Sequence, residues 1–259
     1  MILPLLFLAG TASPGPVPNA LLTTDLVPLV KVTQGDITEA VQAAIDEFDK
    51  TFSAWVTKIR AAEGEEERDA LFAVRPTADE AVKKLFPLIE TEPASEGAFT
   101  GLKWIATRAP AAPEHAARAL SLLAKHHVES EELKDIAMRA TRGSIEMVPA
   151  LGMIVKNSPH REVRGCAMLA MGILQVQDPE SRKDGEKMLE LVVAEYADVK
   201  VYGGRYEIGT MATGELYEAR NLQIGMTVPE IEAEDIDGIE FKLSDYRGKV
   251  ILLDFWGDW

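Results

Sequence analysis

The side chains able to do covalent or metal chemistry are few in this 259-residue sequence, and their neighbours argue against most of them. It holds one cysteine, Cys166, which alone cannot form an internal disulfide. Leu169, Ala170 and Ile173 stand three, four and seven positions further on, placing the thiol on an apolar helix face, where it is expected to be a buried small hydrophobe. His126 and His127 are adjacent, so on a helix they point about 100° apart and cannot chelate one metal together. Near a helix C-terminus they would favour its dipole instead. His115 and His160 lie within two residues of a proline, in the first turns of helices, with no His or Cys at ligand spacing. Glu65-Glu66-Glu67 and the stretch from Glu129 to Asp135 read as solvated faces. Between Asp36 and Asn221 there is no nucleophile–base pair, phosphate loop or zinc spacing, so this region is expected to do no chemistry.

The elements that carry these residues read as helices. From Asp36, the positions Ile37, Val41, Ala44, Ile45, Phe48, Phe52, Val56 and Ile59 recur at three-to-four spacing, marking one face of a helix of about 25 residues. Gly64 and the glutamate run are expected to end it. Thr77 to Glu80 reads as a capping box opening a helix toward Ile89. Pro113, Pro159 and Pro179 suit first helical turns, with Ser158 and Asp178 as N-caps for two of them and Ser130 and Ser144 as caps for further helices. The stretches APEHAARALSLLAKHH and SPHREVRGCAMLAMGILQ look alike and begin 46 residues apart, within the 40–47 of HEAT or armadillo units. Stacked antiparallel helix pairs follow, with a surface suited to a protein partner.

Past Leu222 the periodicity becomes strand-like. Asp237-Gly238 is a hairpin turn signal between Ile231–Asp235 and Glu240–Leu243, and Arg247-Gly248 is a second turn. The apolar run Val250-Ile251-Leu252-Leu253 predicts a central strand buried on both faces.

The motifs of IGMTVPEIEAEDIDGIEFKLSDYRGKVILLDFWGDW resemble, in order and spacing, the entry into TlpA/ResA-type thioredoxin-like domains. Those domains begin with G-x-x-A-P, pass through an x-D-G-x hairpin and L-S-D-x-[RK]-G-K, and reach an F-W-x-x-W strand end. Val228 stands where Ala is commoner. The resemblance implies an α/β thioredoxin-like fold and thiol–disulfide exchange through a C-x-x-C dithiol, with no organic cofactor. The attacking cysteine of such a pair, at a helix N-terminus, is held partly as thiolate, and the second resolves the mixed disulfide. Trp259 matches the residue before the first redox cysteine, Trp256 the aromatic beside the site, and Asp254 a buried strand carboxylate that moves a proton to or from the resolving thiol. The C-x-x-C is not in this sequence, so the chain by itself is expected to be inactive in thiol–disulfide exchange, and its codon after Trp259 is expected to be either a fragment boundary or a UGA read as selenocysteine. A peroxiredoxin-like peroxidase is the alternative within the superfamily, disfavoured by the Trp-rich DFWGDW ending.

The N-terminus reads as a secretory signal peptide over residues 1–12: an apolar run from Ile2 to Gly10, then small residues, although no Lys or Arg precedes it. A Pro/Gly-containing linker over 13–35 follows. With 27 basic and 42 acidic residues the net charge is −15, which repels phosphate-rich partners, and nucleic-acid binding is not expected. The reading is therefore a mainly α-helical domain over 36–221, HEAT-like in its hairpins, joined to the N-terminal part of a thioredoxin-like domain over 222–259. It implies an exported, periplasmic or cell-envelope protein whose partners are protein thiols or disulfides and an envelope electron donor. Two alternatives are a helical-repeat interaction module and a non-catalytic scaffold.

Overall fold

The structure, a computed structural model, describes residues 36–107 and 113–254. The signal peptide and linker expected over 1–35 lie outside the described residues, as do Trp256 and Trp259. The molecule is mainly helical, with short strand pairs toward its C-terminal end.

Helix α1 (Asp36–Ala61) follows its apolar periodicity, burying Ile37, Val41, Ala44, Ile45 and Phe48. The glutamate run does not terminate it. Glu65, Glu66 and Glu67 instead form the first turn of α2 (Glu65–Ala73), where acidic side chains complement the helix dipole. Helix α2 buries no residue of its own and is clipped to α1, with Trp55 Nε1 donating to the Leu71 carbonyl at 2.8 Å and its ring edge-on to Phe72. Helix α3 (Asp79–Thr91) starts after Ala78, so Thr77 falls outside the cap position and the expected capping box does not form. Glu80 turns outward to Lys83 at 2.7 Å.

The remaining helices are α4 (Glu96–Thr107), α5 (Pro113–His126), α6 (Leu133–Ala140), α7 (Val148–Asn157), α8 (Arg161–Gln177), α9 (Arg182–Glu195) and α10 (Ile208–Asn221). Pro113 opens α5 as expected. Pro159 and Pro179 do not open helices; they sit in the turns just before α8 and α9. Asp178 caps such a turn, its Oδ2 accepting the Ser181 amide at 3.1 Å and hydroxyl at 2.6 Å. Ser158 and Ser130 likewise accept amides two residues on, at 3.4 and 3.3 Å, ahead of α8 and α6. Ser144 precedes a short 3₁₀ turn over Ile145–Met147 and gives it no backbone cap bond. A cap the sequence reading did not single out is Ser95, which accepts the Ala98 amide at 3.1 Å and opens α4.

The helices stack as pairs, but not with the 46-residue period. Helices α3, α5, α7 and α9 start at residues 79, 113, 148 and 182, so successive starts are 34, 35 and 34 residues apart. The look-alike stretches are α5 and α8, which belong to different rows of this array. Helices α4, α6, α8 and α10 pack successively on one another, while α5 packs on α4 and α7, and α9 on α8 and α10. Helix α8 is the spine: eleven of its side chains or glycines are buried, Cys166 and Leu169 completely. It meets α9 at close range, because a Cβ on Gly185 would lie 2.6 Å from the Val176 backbone nitrogen.

One rim of the array is laced loop to loop. His127 Nε2 meets the Pro93 carbonyl at 2.8 Å, His160 Nε2 the Glu129 carbonyl at 2.8 Å, and Arg161 the Glu195 carbonyl at 2.5 Å. Ion pairs Lys103–Glu132 and Lys134–Glu162 run along the same helices, although such exposed pairs stabilise little singly.

Two antiparallel strand pairs complete the fold. Strands β1 (Lys200–Val201) and β2 (Tyr206–Glu207) form a tight hairpin before α10. Strands β3 (Glu232–Glu234) and β4 (Glu240–Lys242) form the second, with Glu232 opposite Lys242 and Glu234 opposite Glu240.

Candidate functional site

The segment after α10 folds locally as its turn residues require. Gly238, at φ 76°, supplies the left-handed position of the β3–β4 turn, and Asp235 organises it by accepting the amides of Asp237 and Ile239, each at 2.9 Å. Lys242 pairs with Glu232 across the strands at 2.5 Å. Ser244-Asp245-Tyr246 continues into a 3₁₀ turn (Leu243–Tyr246), with Asp245 accepting the Lys242 amide at 3.0 Å. Glu230 reaches across to accept the Ser244 amide at 2.9 Å, a bond that holds its carboxyl below the usual range. Pro229, Glu230, Ser244, Tyr246 and Arg247 thereby come together around a shallow hollow. The L-S-D turn and the proline-bearing entry are thus tied by a carboxylate–amide bond across fourteen residues.

The expected central strand is not formed. Val250, Ile251, Leu252 and Leu253 adopt no regular structure, and Val250 and Leu252 are 103% and 93% exposed. A strand exists only through hydrogen bonds to a neighbour, and among the described residues none pairs with this run. Asp254 follows it and is also exposed and outside any strand, so the burial expected to tune this carboxylate is absent here. Of the three site-adjacent residues only Asp254 lies among those described.

Cys166 is fully buried, and that burial pushes its thiol up to about 12. A thiol so protonated cannot act as a nucleophile at neutral pH. His127 and His160 are structural struts: burial, partly offset by the Pro93 carbonyl, lowers the pKa of His127, whose ring also packs edge-on against Phe99 at 5.3 Å.

A concavity in the helical array was not legible as a motif. Tyr202, Tyr206, Arg142, Gln177, Met211 and Glu215 line it, brought together from α8, α10, the β1–β2 hairpin and the end of α6. The only local signal is Tyr202-Gly203-Gly204, whose φ values of 53°, 69° and 87° mark a tight left-handed turn.

Among curated proteins, the chain is similar to the thiol-disulfide oxidoreductase ResA of Geobacillus kaustophilus, 42% identical over 50 residues, covering 19% of this chain and 29% of that protein. The ResA of Geobacillus thermodenitrificans is 43% identical over 42 residues (16% and 24% of the two chains), and that of Bacillus anthracis 34% over 50 (19% and 29%). The chain thus spans less than a third of the length of these relatives. No family model and no solved structure matches it. It is a mainly helical protein with a partial likeness to ResA thiol-disulfide oxidoreductases, holding one buried cysteine and no C-x-x-C pair.

Proposed function

We propose that residues 222–259 are the N-terminal part of a thioredoxin-like thiol–disulfide oxidoreductase domain, carried behind an α-helical domain over 36–221 that engages protein partners. The observation that carries this reading is the order of turns between Gly225 and Gly248. The glycine–proline entry, the Asp235-organised hairpin, and the Leu243–Tyr246 turn latched by Glu230 stand in the order of the sequence motifs that resemble that family, which supports the reading. The likeness to ResA proteins supports the same chemistry. In that chemistry a thiolate attacks a substrate disulfide and a second thiol releases the product, with no organic cofactor. Asp254, Trp256 and Trp259 would flank the dithiol, Asp254 acquiring its proton-transfer role once paired strands bury it. Substrates would be the thiols and disulfides of exported proteins, reduced through an envelope electron donor, with residues 1–12 as the export signal. Among the described residues no helix is long and apolar enough to cross a membrane.

The test is a chimera in which the Geobacillus kaustophilus ResA sequence, from its C-x-x-C onward, follows Trp259. The chimera is expected to accelerate insulin reduction by dithiothreitol well above the unfused chain, whose single buried Cys166 should leave the rate at background. A folded, monomeric chimera without redox activity would sink the reading, as would strong activity of the unfused chain.

A further inference from the structure

The helical array holds a cavity of about 520 Å³ that the redox chemistry does not use, within the range of small-ligand pockets. Two tyrosines form one side. Tyr202 and Tyr206 are each about half exposed and sit edge to face, their ring centroids 6.1 Å apart. Tyr202 is the one residue other than glycine, among those described, with a positive φ. A side-chain-bearing residue is strained there, and strain of this kind persists where surrounding structure enforces it. The enforcement is visible. The Ile208 amide donates to the Val199 carbonyl at 3.0 Å and the Gly209 amide to the Ala197 carbonyl at 3.2 Å, so the hairpin is pinned at its base. A Cβ on Gly209 would lie 2.6 Å from Ala197, so α10 abuts this base as closely as its backbone allows.

Two opposite charges also line the cavity, and neither is paired. Glu215 is half-buried, and burial, then the nearby Glu218, push its carboxyl above the usual range. Among the described residues the Glu215 side chain makes no hydrogen bond or ion pair; the guanidinium of Arg142 makes none either, but it is exposed to solvent. Among the described arginines only Arg118, Arg161 and Arg220 form ion pairs, with Glu90, with Asp198, and with Glu186 and Glu190. The group that bears on a ligand is therefore Glu215, a half-buried carboxylate that lines the cavity beside two tyrosines and has no cation against it among the described residues.

We propose that this cavity binds a basic side chain of an extended peptide segment of a partner protein, with Glu215 taking the cationic head, Tyr202 and Tyr206 flanking its stem, and Arg142 and Gln177 holding adjacent peptide carbonyls. Aromatic faces attract a cation, and a partly desolvated carboxylate gains most from one. The net charge of −15 draws basic partners and repels acidic ones. An uncharged ligand such as a saccharide would desolvate Glu215 further without neutralising it. A bare cation would meet Arg142 on the same wall, whereas a peptide brings carbonyl acceptors beside its basic group. The inference stands on the helical array alone and does not rest on the redox reading.

The test is fluorescence anisotropy on the full chain with capped, labelled nonapeptide pools centred on Lys or Arg, against a pool centred on norleucine, and with acidic-peptide and saccharide competitors. Saturable binding of the basic pools is expected, at least tenfold tighter than norleucine and lost on raising the salt. Glu215→Gln and Tyr206→Leu should each weaken it about tenfold with unchanged helical circular dichroism, while Lys84→Ala, on a remote face, should not. No saturable binding by the basic pools, equal binding of norleucine, displacement by the acidic peptide or saccharide at equal concentration, or indifference to Glu215→Gln in a folded protein would each overturn the proposal.

Discussion

At the scale of single residues, burial decides which reactive groups react. Cys166 sits on the spine helix α8 among Ala167, Leu169, Ala170 and Ile173, all buried with it. The folded state keeps the thiol protonated up to about pH 12, whereas an unfolded chain releases the proton near the ordinary value of 9.0. Above pH 9 the native state therefore binds more protons than the unfolded state, and stability must fall as pH rises through that window. Urea unfolding between pH 9 and 11 should show an extra loss of about 1.4 kcal/mol per pH unit relative to Cys166→Ala. Equal slopes in the two proteins would mean the thiol is more solvated than its place in the core indicates. Native labelling of Cys166 by a thiol reagent at pH 8 should likewise be slow and become fast in denaturant.

At the scale of elements, α8 and α9 approach each other backbone to backbone. Gly185 faces the backbone of α8, with Val176 nitrogen and the Gly172 carbonyl 2.6 and 2.8 Å from where a Cβ would stand. Backbone cannot rotate aside as a side chain can, so the helices must separate to admit even a methyl group. Gly185→Ala should destabilise by about 1–3 kcal/mol despite the better helix propensity of alanine, measured as a lowered urea midpoint with unchanged slope. A neutral or stabilising result would show that propensity outweighs the clash and that the two helices part easily. Gly64, with nothing near its absent Cβ, supplies the contrast: Gly64→Ala meets no such obstacle.

At the scale of the whole molecule, the apolar surface is distributed unevenly. The helical array closes its core over Leu85, Ile89, Leu102, Leu120, Leu151 and Leu189, all fully buried. The segment after α10 leaves Ile224, Ile236, Ile239 and Val250 through Leu253 at the surface. Exposed apolar chain of this kind favours association with other chains. Deleting residues 223–259 should shift the thermal midpoint of the array by no more than a few degrees and reduce light scattering on heating. A drop of ten degrees or more would mean that the β3–β4 hairpin is an integral part of the helical fold.

What the sequence determined by itself was part of what local chemistry fixes; the capping box expected at Thr77 and the helix openings expected at Pro159 and Pro179 do not form, so helix starts also answer to packing. The span of α1, the proline at the start of α5, the Asp-Gly turn of β3–β4 and the burial of Cys166 follow from periodicity and turn residues, because those act within a few positions along the chain. The resemblance to the redox family also lay in local motif order. The tertiary structure decided the rest. Whether Val250 to Leu253 becomes a strand depends on a neighbour to pair with, which no run of apolar residues can supply for itself. The 34-residue period of the helix starts emerged only from packing, since the stretches most alike in composition, α5 and α8, occupy different rows. The cavity of Tyr202, Tyr206, Arg142 and Glu215 joins residues up to 73 positions apart, so no spacing along the sequence could have announced it.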